Sequence, residues 1–161
     1  MNTLNTSEKA EFEKLRINER KWSKPLMAAG WNAFPSIIIE KQNALGLDAL
    51  DMNIILHLTQ YWWQSENLPH PSVGKIAAAV GVKPRTIQKR MAALDKLGFV
   101  KREERRNTPF GSTTNLYSFK GLIEKVLPFA EEKIKEIEIN KATKNKRLER
   151  KKPQLIVNND K

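Results

Sequence analysis

Residues 71–104 constrain the fold more than any other stretch, because they carry start and stop signals for two consecutive helices. Ser72 is a favourable N-cap, since its hydroxyl can accept a free backbone N–H of the first turn. Gly81 suits the left-handed residue that ends a helix. Pro84 is tolerated in the first turn of the next helix, which Gly98 then ends. The sequence therefore predicts two helices joined by a three-residue turn.

The second predicted helix has two chemically different faces. One face is apolar at helical spacing and carries Ile87, Met91, Leu94 and Leu97. The other is basic and polar and carries Arg85, Gln88, Lys89, Ala92 and Lys96, with Thr86 and Arg90 on its flanks. Arg and Lys can pair with guanine, Gln can pair with adenine, and Ala allows close approach to the major groove. The pattern predicts a recognition helix, and the alternative is the solvated face of an ordinary helix.

A β-hairpin is predicted after these two helices. Residues 99–102 and 114–119 are typical of two strands, and residues 105–113 form a loop that contains Pro and Gly. Several polar side chains of this hairpin are candidates for contacts to phosphates or the minor groove: Lys101, Arg102, Arg105, Arg106, Thr113, Thr114 and Asn115. The alternative is a mobile hairpin tip without a DNA contact.

The motif A-x-x-x-G-V-x-x-R-T-I-Q-K-R at residues 77–90, followed by L-x-x-L-G-F-V-K-R at residues 94–102, resembles the winged helix-turn-helix domains of bacterial, plasmid and phage regulators and replication proteins. The resemblance covers residues 35–120 and implies that fold and DNA binding. It departs from the family at Lys83, where Ser is common. This exchange weakens the helix cap by about 1 kcal/mol but adds a cation. We therefore also expect Ser72 and Lys83 at the DNA interface.

The fold class expected is mainly α with a small β-hairpin wing. The chain divides into a helical arm over residues 1–34, a winged domain over 35–120, a C-terminal helix over 121–140 and a basic, disordered tail over 141–161. The arm should contain a helix over residues 8–21, which either docks a partner protein or is merely solvated.

The sequence before the two predicted helices contains further local signals for secondary structure, and some of them allow more than one interpretation. Ser36 can cap a helix over residues 37–45, although the run of three Ile could equally form a strand. Asp48 and Asp51 predict a carboxylate capping box at the start of a long support helix that the aromatic residues 61–63 end. Three aromatic residues before this helix are expected to cover the core, with stacking on nucleobases as the alternative: Trp22, Trp31 and Phe34.

The C-terminal helix begins near Leu122, and Pro128 is expected to interrupt or kink it. Its apolar edge continues through Ala130, Ile134 and Ile137 and spans about two heptads, which is short for a convincing coiled coil. We expect a homodimer through this helix.

Charge favours a polyanionic partner. The net charge is +11, and it is concentrated in residues 83–106, with nine basic and three acidic side chains, and in residues 141–152, with seven basic and one acidic. No amphipathic stretch with large apolar residues accompanies the basic tail, which argues against a membrane surface. There are no cysteines, no apolar run long enough to span a bilayer and no signal-peptide pattern at the N-terminus, so the cytoplasm, in association with the nucleoid, is the expected location.

No catalytic or metal site is expected. Gly74-Lys75 lacks the remaining residues of a phosphate-binding loop, and His57 and His70 have no companion at metal-ligand spacing. The first hypothesis is therefore a homodimeric transcriptional regulator that binds double-stranded DNA sequence-specifically without a cofactor. The alternative is a plasmid or phage replication or partition initiator that binds origin repeats. A third possibility is a winged domain that contacts only protein.

Overall fold

The computed structural model describes residues 16–104 and 114–150. Its secondary structure is mainly helical with one small antiparallel sheet, which confirms the expected class at this level. The elements in chain order are α1 (residues 16–22), α2 (Lys24–Ala28), α3 (Ser36–Glu40), α4 (Ala49–Thr59), α5 (Val73–Val80), α6 (Pro84–Lys96), β1 (Lys101–Glu103), β2 (Leu116–Ser118) and α7 (Lys120–Arg150).

The core is built around α4. Its Ile54, Ile55 and Leu58 are fully buried, and the helix packs against both α5 and α6. The capping box predicted at the start of α4 is present. The Asp51 N–H donates to Asp48 Oδ1 at 2.8 Å, and the Asp48 N–H donates to Asp51 Oδ2 at 3.1 Å. Two otherwise unpaired backbone donors are satisfied in this way, which fixes where the support helix begins.

The hairpin closes one side of the core. In the β1–β2 register, Lys101 is opposite Ser118 and Arg102 is opposite Tyr117. Tyr117 is buried, and its N–H donates to the Pro69 carbonyl at 3.0 Å. The tip predicted as a wing, with Arg105, Arg106 and Thr113, lies outside the described residues.

The first turn of α7 sits directly on the turn between α6 and β1. The Leu122 N–H donates to the Phe99 carbonyl at 3.0 Å. A Cβ added to Gly121 would lie 1.9 Å from the Gly98 carbonyl oxygen, so only glycine fits there. Gly98 itself has φ +72°, a left-handed conformation that favours glycine. The C-terminal helix is therefore attached to the end of α6 by a backbone-to-backbone contact.

Helix α7 is longer than expected. It runs 31 residues without interruption through Pro128 to Arg150, about 46 Å at 1.5 Å per residue. The proline does not end it, because the neighbouring Glu124 and Leu127 are exposed and water can satisfy the backbone group that loses its partner. Residues 141–150 are helical where a disordered tail was predicted, since they consist largely of good helix formers and contain no Gly or Pro.

Four other local expectations differ from the structure. Ser36 is the first residue of α3 and does not cap it, because Pro35 occupies the N-cap position. Trp22 and Trp31 are exposed and do not cover the core, whereas Phe34 packs partly against it. Leu97 is exposed because it follows the last turn of α6, where the chain is already turning at Gly98. The support helix ends at Thr59, before the aromatic residues 61–63.

Candidate nucleic-acid interface

The helix–turn–helix pair forms from the signals seen in the sequence. Ser72 caps α5 by accepting the Lys75 N–H at 3.2 Å. Gly81 has φ +79°, and its N–H donates to the Ala77 carbonyl at 2.9 Å. The Val82 N–H donates to the same carbonyl at 3.1 Å, and its side chain packs against the core. The turn is thus fixed by two backbone hydrogen bonds to the Ala77 carbonyl and by the packing of the Val82 side chain against the core.

Helix α6 buries one face and exposes the other. Ile87, Met91 and Leu94 are buried, as predicted. Arg85, Gln88 and Lys89 are exposed on the first two turns. Pro84 opens the helix, and Lys83 stands at the N-cap position without a side-chain hydrogen bond to the helix.

The exposed cations at the start of α6 are not neutralised by any residue that the structure describes. Within residues 16–104 and 114–150, Lys83, Arg85 and Lys89 form no ion pair. Their positive charge, together with the positive end of the α6 dipole, faces solvent. A surface of this kind attracts phosphate groups.

Arg90 is used differently from these neighbours. Its guanidinium forms an ion pair with Asp48, and its Nη1 lies 3.7 Å from Asp51 Oδ1. Both carboxylates belong to the capping box of α4, so Arg90 ties α6 to α4. Thr86, on the other flank of α6, is half-buried. Spacing along α6 predicted a flanking position for Arg90, but not this partner 42 residues away.

The two aspartates differ in protonation chemistry. The backbone N–H of Asp51 holds the pKa of the Asp48 carboxyl below its ordinary value of 3.8, and Arg90 adds to this effect. Burial raises the pKa of the Asp51 carboxyl above 3.8, although the Asp48 N–H and Arg90 oppose it. Arg90 therefore supports an ionised carboxylate at a position from which water is largely excluded.

The hairpin places further predicted residues near the end of α6. Lys101 and Arg102 are exposed on β1. The Arg102 N–H donates to Asp95 Oδ1 at 3.4 Å, and its guanidinium lies 3.7 Å from Glu104. Thr114 is exposed and Asn115 is half-buried; burial raises the pKa of the Tyr117 hydroxyl, and the nearby Asn115 side chain opposes this shift. Asn115 is thus engaged with the hairpin.

An aromatic cleft lies elsewhere on the surface. Trp31 and Trp63 meet edge to face with their ring centroids 6.4 Å apart, and they line a cleft of about 190 Å³. The Asn32 amide donates to Thr59 Oγ1 at 2.9 Å and anchors this segment on α4. The stacking alternative for Trp31 stays a prediction, and the exposed Trp22 is not among the residues that line the cleft.

Residues 34–137, most of the chain, match the DnaD N-terminal domain. The chain belongs to the DnaD N-terminal domain family. The match starts at Phe34, includes every helix from α3 to α6 and the hairpin, and ends within α7. No curated protein matches the sequence significantly.

DnaD N-terminal domains form a replication-associated family with a winged-helix-like fold. The resemblance found in the sequence is therefore supported at the level of replication proteins with this kind of fold. A relationship to the winged regulators in particular stays a prediction, because the predicted wing tip lies outside the described residues.

This DnaD N-terminal domain contains, in residues 16–104 and 114–150, no helix that is both long and apolar enough to cross a bilayer. The same residues contain no cluster of three His, Asp or Glu side chains that could hold a metal ion. The candidate interface consists of the exposed start of α6 and, near the other end of this helix, of Lys101 and Arg102 on β1.

Proposed function

We propose that this DnaD N-terminal domain is a non-catalytic, replication-related protein that binds double-stranded DNA through α6. The observation that carries the proposal is that the basic residues of this helix differ in whether they have an ionic partner. Arg90 is bound to the carboxylates of α4, whereas Lys83, Arg85 and Lys89 face solvent without an ionic partner in the described chain. Lys101 and Arg102 add exposed basic side chains on the hairpin, near the end of α6.

The family supports a role in replication. Between the two hypotheses drawn from the sequence, origin binding agrees with a replication-associated family, whereas transcriptional regulation has no support from the match. Within the proposal, Arg85, Gln88 and Lys89 contact base edges. Contacts to the phosphate backbone position the protein on the duplex, and they come from Ser72, Lys83, Thr86, Thr114 and the cations of the hairpin.

The proposal includes self-association. The protein acts as a homodimer through α7, whose outer face carries exposed apolar residues, among them Ile134 and Ile137. The exposed Ile17 and Trp22 of α1 offer a second surface, suited to a different protein partner.

The test is retention of fragmented host DNA by the purified protein, followed by sequencing of the retained fragments. A cluster of repeats near an origin supports the proposal. Isolated symmetric sites near promoters would instead favour a transcriptional regulator. Uniform retention of all fragments would remove the base-reading role from α6.

Residue-level affinity measurements make the test specific. Arg85→Ala or Lys89→Ala should weaken the retained site by about 1–3 kcal/mol and relax its sequence preference. Lys24→Ala is the matched control, since Lys24 is an exposed cation on α2, away from the candidate interface. Equal losses from Lys24→Ala and Arg85→Ala would mean that only net charge matters.

A further inference from the structure

Helix α7 carries a regular stripe of residues on its outer face. Starting at Ile123, the stripe advances by alternating steps of four and three residues: Ile123, Leu127, Ala130, Ile134, Ile137, Lys141, Lys144 and Leu148. This is the spacing of the contact positions in a coiled coil. We call these eight positions the α7 seam.

The α7 seam is separate from the face by which the helix packs on its own domain. Leu122 and Val126 are buried in the core, the Lys41 ammonium lies over the Phe129 ring, and Lys133 pairs with Glu40. By contrast, the five Ile and Leu residues of the seam are between 43% and 57% exposed. Every residue from 134 to 149 is exposed, so half of the helix stands clear of the described body.

We infer that α7 pairs antiparallel with α7 of a second copy of this chain. This inference rests on the self-association included in the proposed function and adds its polarity and register. The steps of the seam read the same from either end, so an antiparallel partner can place a seam residue opposite every seam residue. Ile134 then faces Ile137 of the second copy, and Ile123 faces Leu148 of the second copy.

The seam lysines select this polarity. In a parallel pair, Lys141 and Lys144 would each face the same lysine of the other copy in consecutive layers. Like charges in contact repel each other, and a polar or charged residue at a seam position specifies the register of a coiled coil at a cost in stability. In the antiparallel pair, Lys141 faces Ala130 and Lys144 faces Leu127. The long lysine stems can cover these apolar side chains while their ammonium groups reach outward.

The charges that flank the seam agree with the same choice. Residues 124–138 hold five Glu and three Lys, whereas residues 141–150 hold five basic residues and one Glu. Antiparallel pairing separates the two basic ends, because residues 141–150 of each helix then lie beside residues 121–130 of the other, which hold one Glu and one Lys. Glu124 and Glu131 then flank the positions that receive the two seam lysines. Parallel pairing would align basic end with basic end.

Cysteine cross-linking tests the register, because the chain has no cysteine of its own. Ala130→Cys and Lys141→Cys are made as two separate full-length proteins, one with a tag that changes its size. They are mixed without DNA, oxidised and separated under non-reducing conditions. We expect the mixed disulfide to exceed either homodisulfide about tenfold, since cysteines outside bridging range do not link. Glu132→Cys, on the opposite side of α7, is the control for random collision.

A second pair guards against a local effect of one substitution. Leu127→Cys with Lys144→Cys should give the same excess of mixed product, and circular dichroism should show unchanged helix content in all variants. Homodisulfides as the main product, in a sample that sediments as a dimer, would overturn the antiparallel inference alone. A monomer at micromolar concentration would overturn the homodimer as well. Neither result depends on whether α6 binds DNA.

Discussion

Replacing Arg90 with Ala should destabilise the domain by about 2 kcal/mol at pH 7, because the side chain joins two helices through carboxylates of unequal burial. The ion pair between Arg90 and Asp48 is partly open to solvent, since the two side chains are 39% and 45% exposed. It therefore contributes about 0.2–1 kcal/mol to the free energy of unfolding. Asp51 is only 10% exposed, and it would lose the cation that lies 3.7 Å away. Asp51 Oδ1 accepts no hydrogen bond from the described residues, so losing the guanidinium leaves a largely buried charge uncompensated, at a cost of about 1–3 kcal/mol.

The dependence on pH makes this prediction specific. As pH falls, Asp51 takes up a proton first because its folded-state pKa lies above 3.8, and Asp48 follows because its pKa lies below that value. The stabilisation by ionised Asp48 is present above its unfolded pKa and is lost as pH falls through its folded pKa. The difference in the free energy of unfolding between the wild type and Arg90→Ala should therefore shrink as pH falls through the folded-state pKa of Asp51 and then through that of Asp48.

Urea denaturation followed by circular dichroism measures the difference at each pH. Arg102→Ala is the matched control, since its guanidinium and Glu104 are 48% and 50% exposed, and a loss within about 0.5 kcal/mol is expected. Equal destabilisation by Arg90→Ala and Arg102→Ala at pH 7 would refute the role given to Asp51. So would a loss in Arg90→Ala that persists undiminished at pH 2.

Three further changes probe the caps, the α6–α7 junction and the basic end of the chain. Lys83→Ser should raise the free energy of unfolding by about 1 kcal/mol by supplying a missing helix cap, yet weaken DNA binding in an anisotropy assay; a gain in both would remove Lys83 from the interface. Gly121→Ala should lower stability in thermal melts by about 3 kcal/mol or more, because its Cβ would overlap the Gly98 carbonyl, and a near-neutral result would contradict that close approach. Replacing Lys146 and Arg147 with Gln, which leaves the α7 seam unchanged, should weaken all duplexes alike and flatten the dependence of affinity on salt, whereas an unchanged slope would mean that these cations do not contact phosphate.

Local chemistry predicted the helix–turn–helix well, because its boundaries depend on residues close together in the chain. Ser72, Gly81 and Gly98 occupy the cap and turn positions expected of them, and the Asp48–Asp51 capping box formed. Each of these features involves a hydrogen bond or a backbone conformation within a few residues. They required no knowledge of how the helices pack.

The features that the sequence did not predict depend on contacts between residues that are distant in the chain, or on where a helix ends. Arg90 looked like its basic neighbours until Asp48, from another helix, was seen beside it. Trp31 looked like a core residue by its size, but its ring lies at the surface against Trp63. The high charge density of residues 141–150 predicts a disordered tail, but these residues continue α7, because Lys, Arg and Glu are good helix formers.

The contact between Gly98 and Gly121 has a mechanical consequence. The backbones of Gly98 and Gly121 are in direct contact, without an intervening side chain that could adopt another rotamer. This contact holds the start of α7 in a fixed position relative to the end of α6. A domain seated on a duplex through α6 would therefore point α7 in one direction relative to the DNA axis. The geometry of the paired α7 helices would then set the distance between two such domains on DNA. Lengthening α7 by one turn should therefore change the preferred spacing of binding sites.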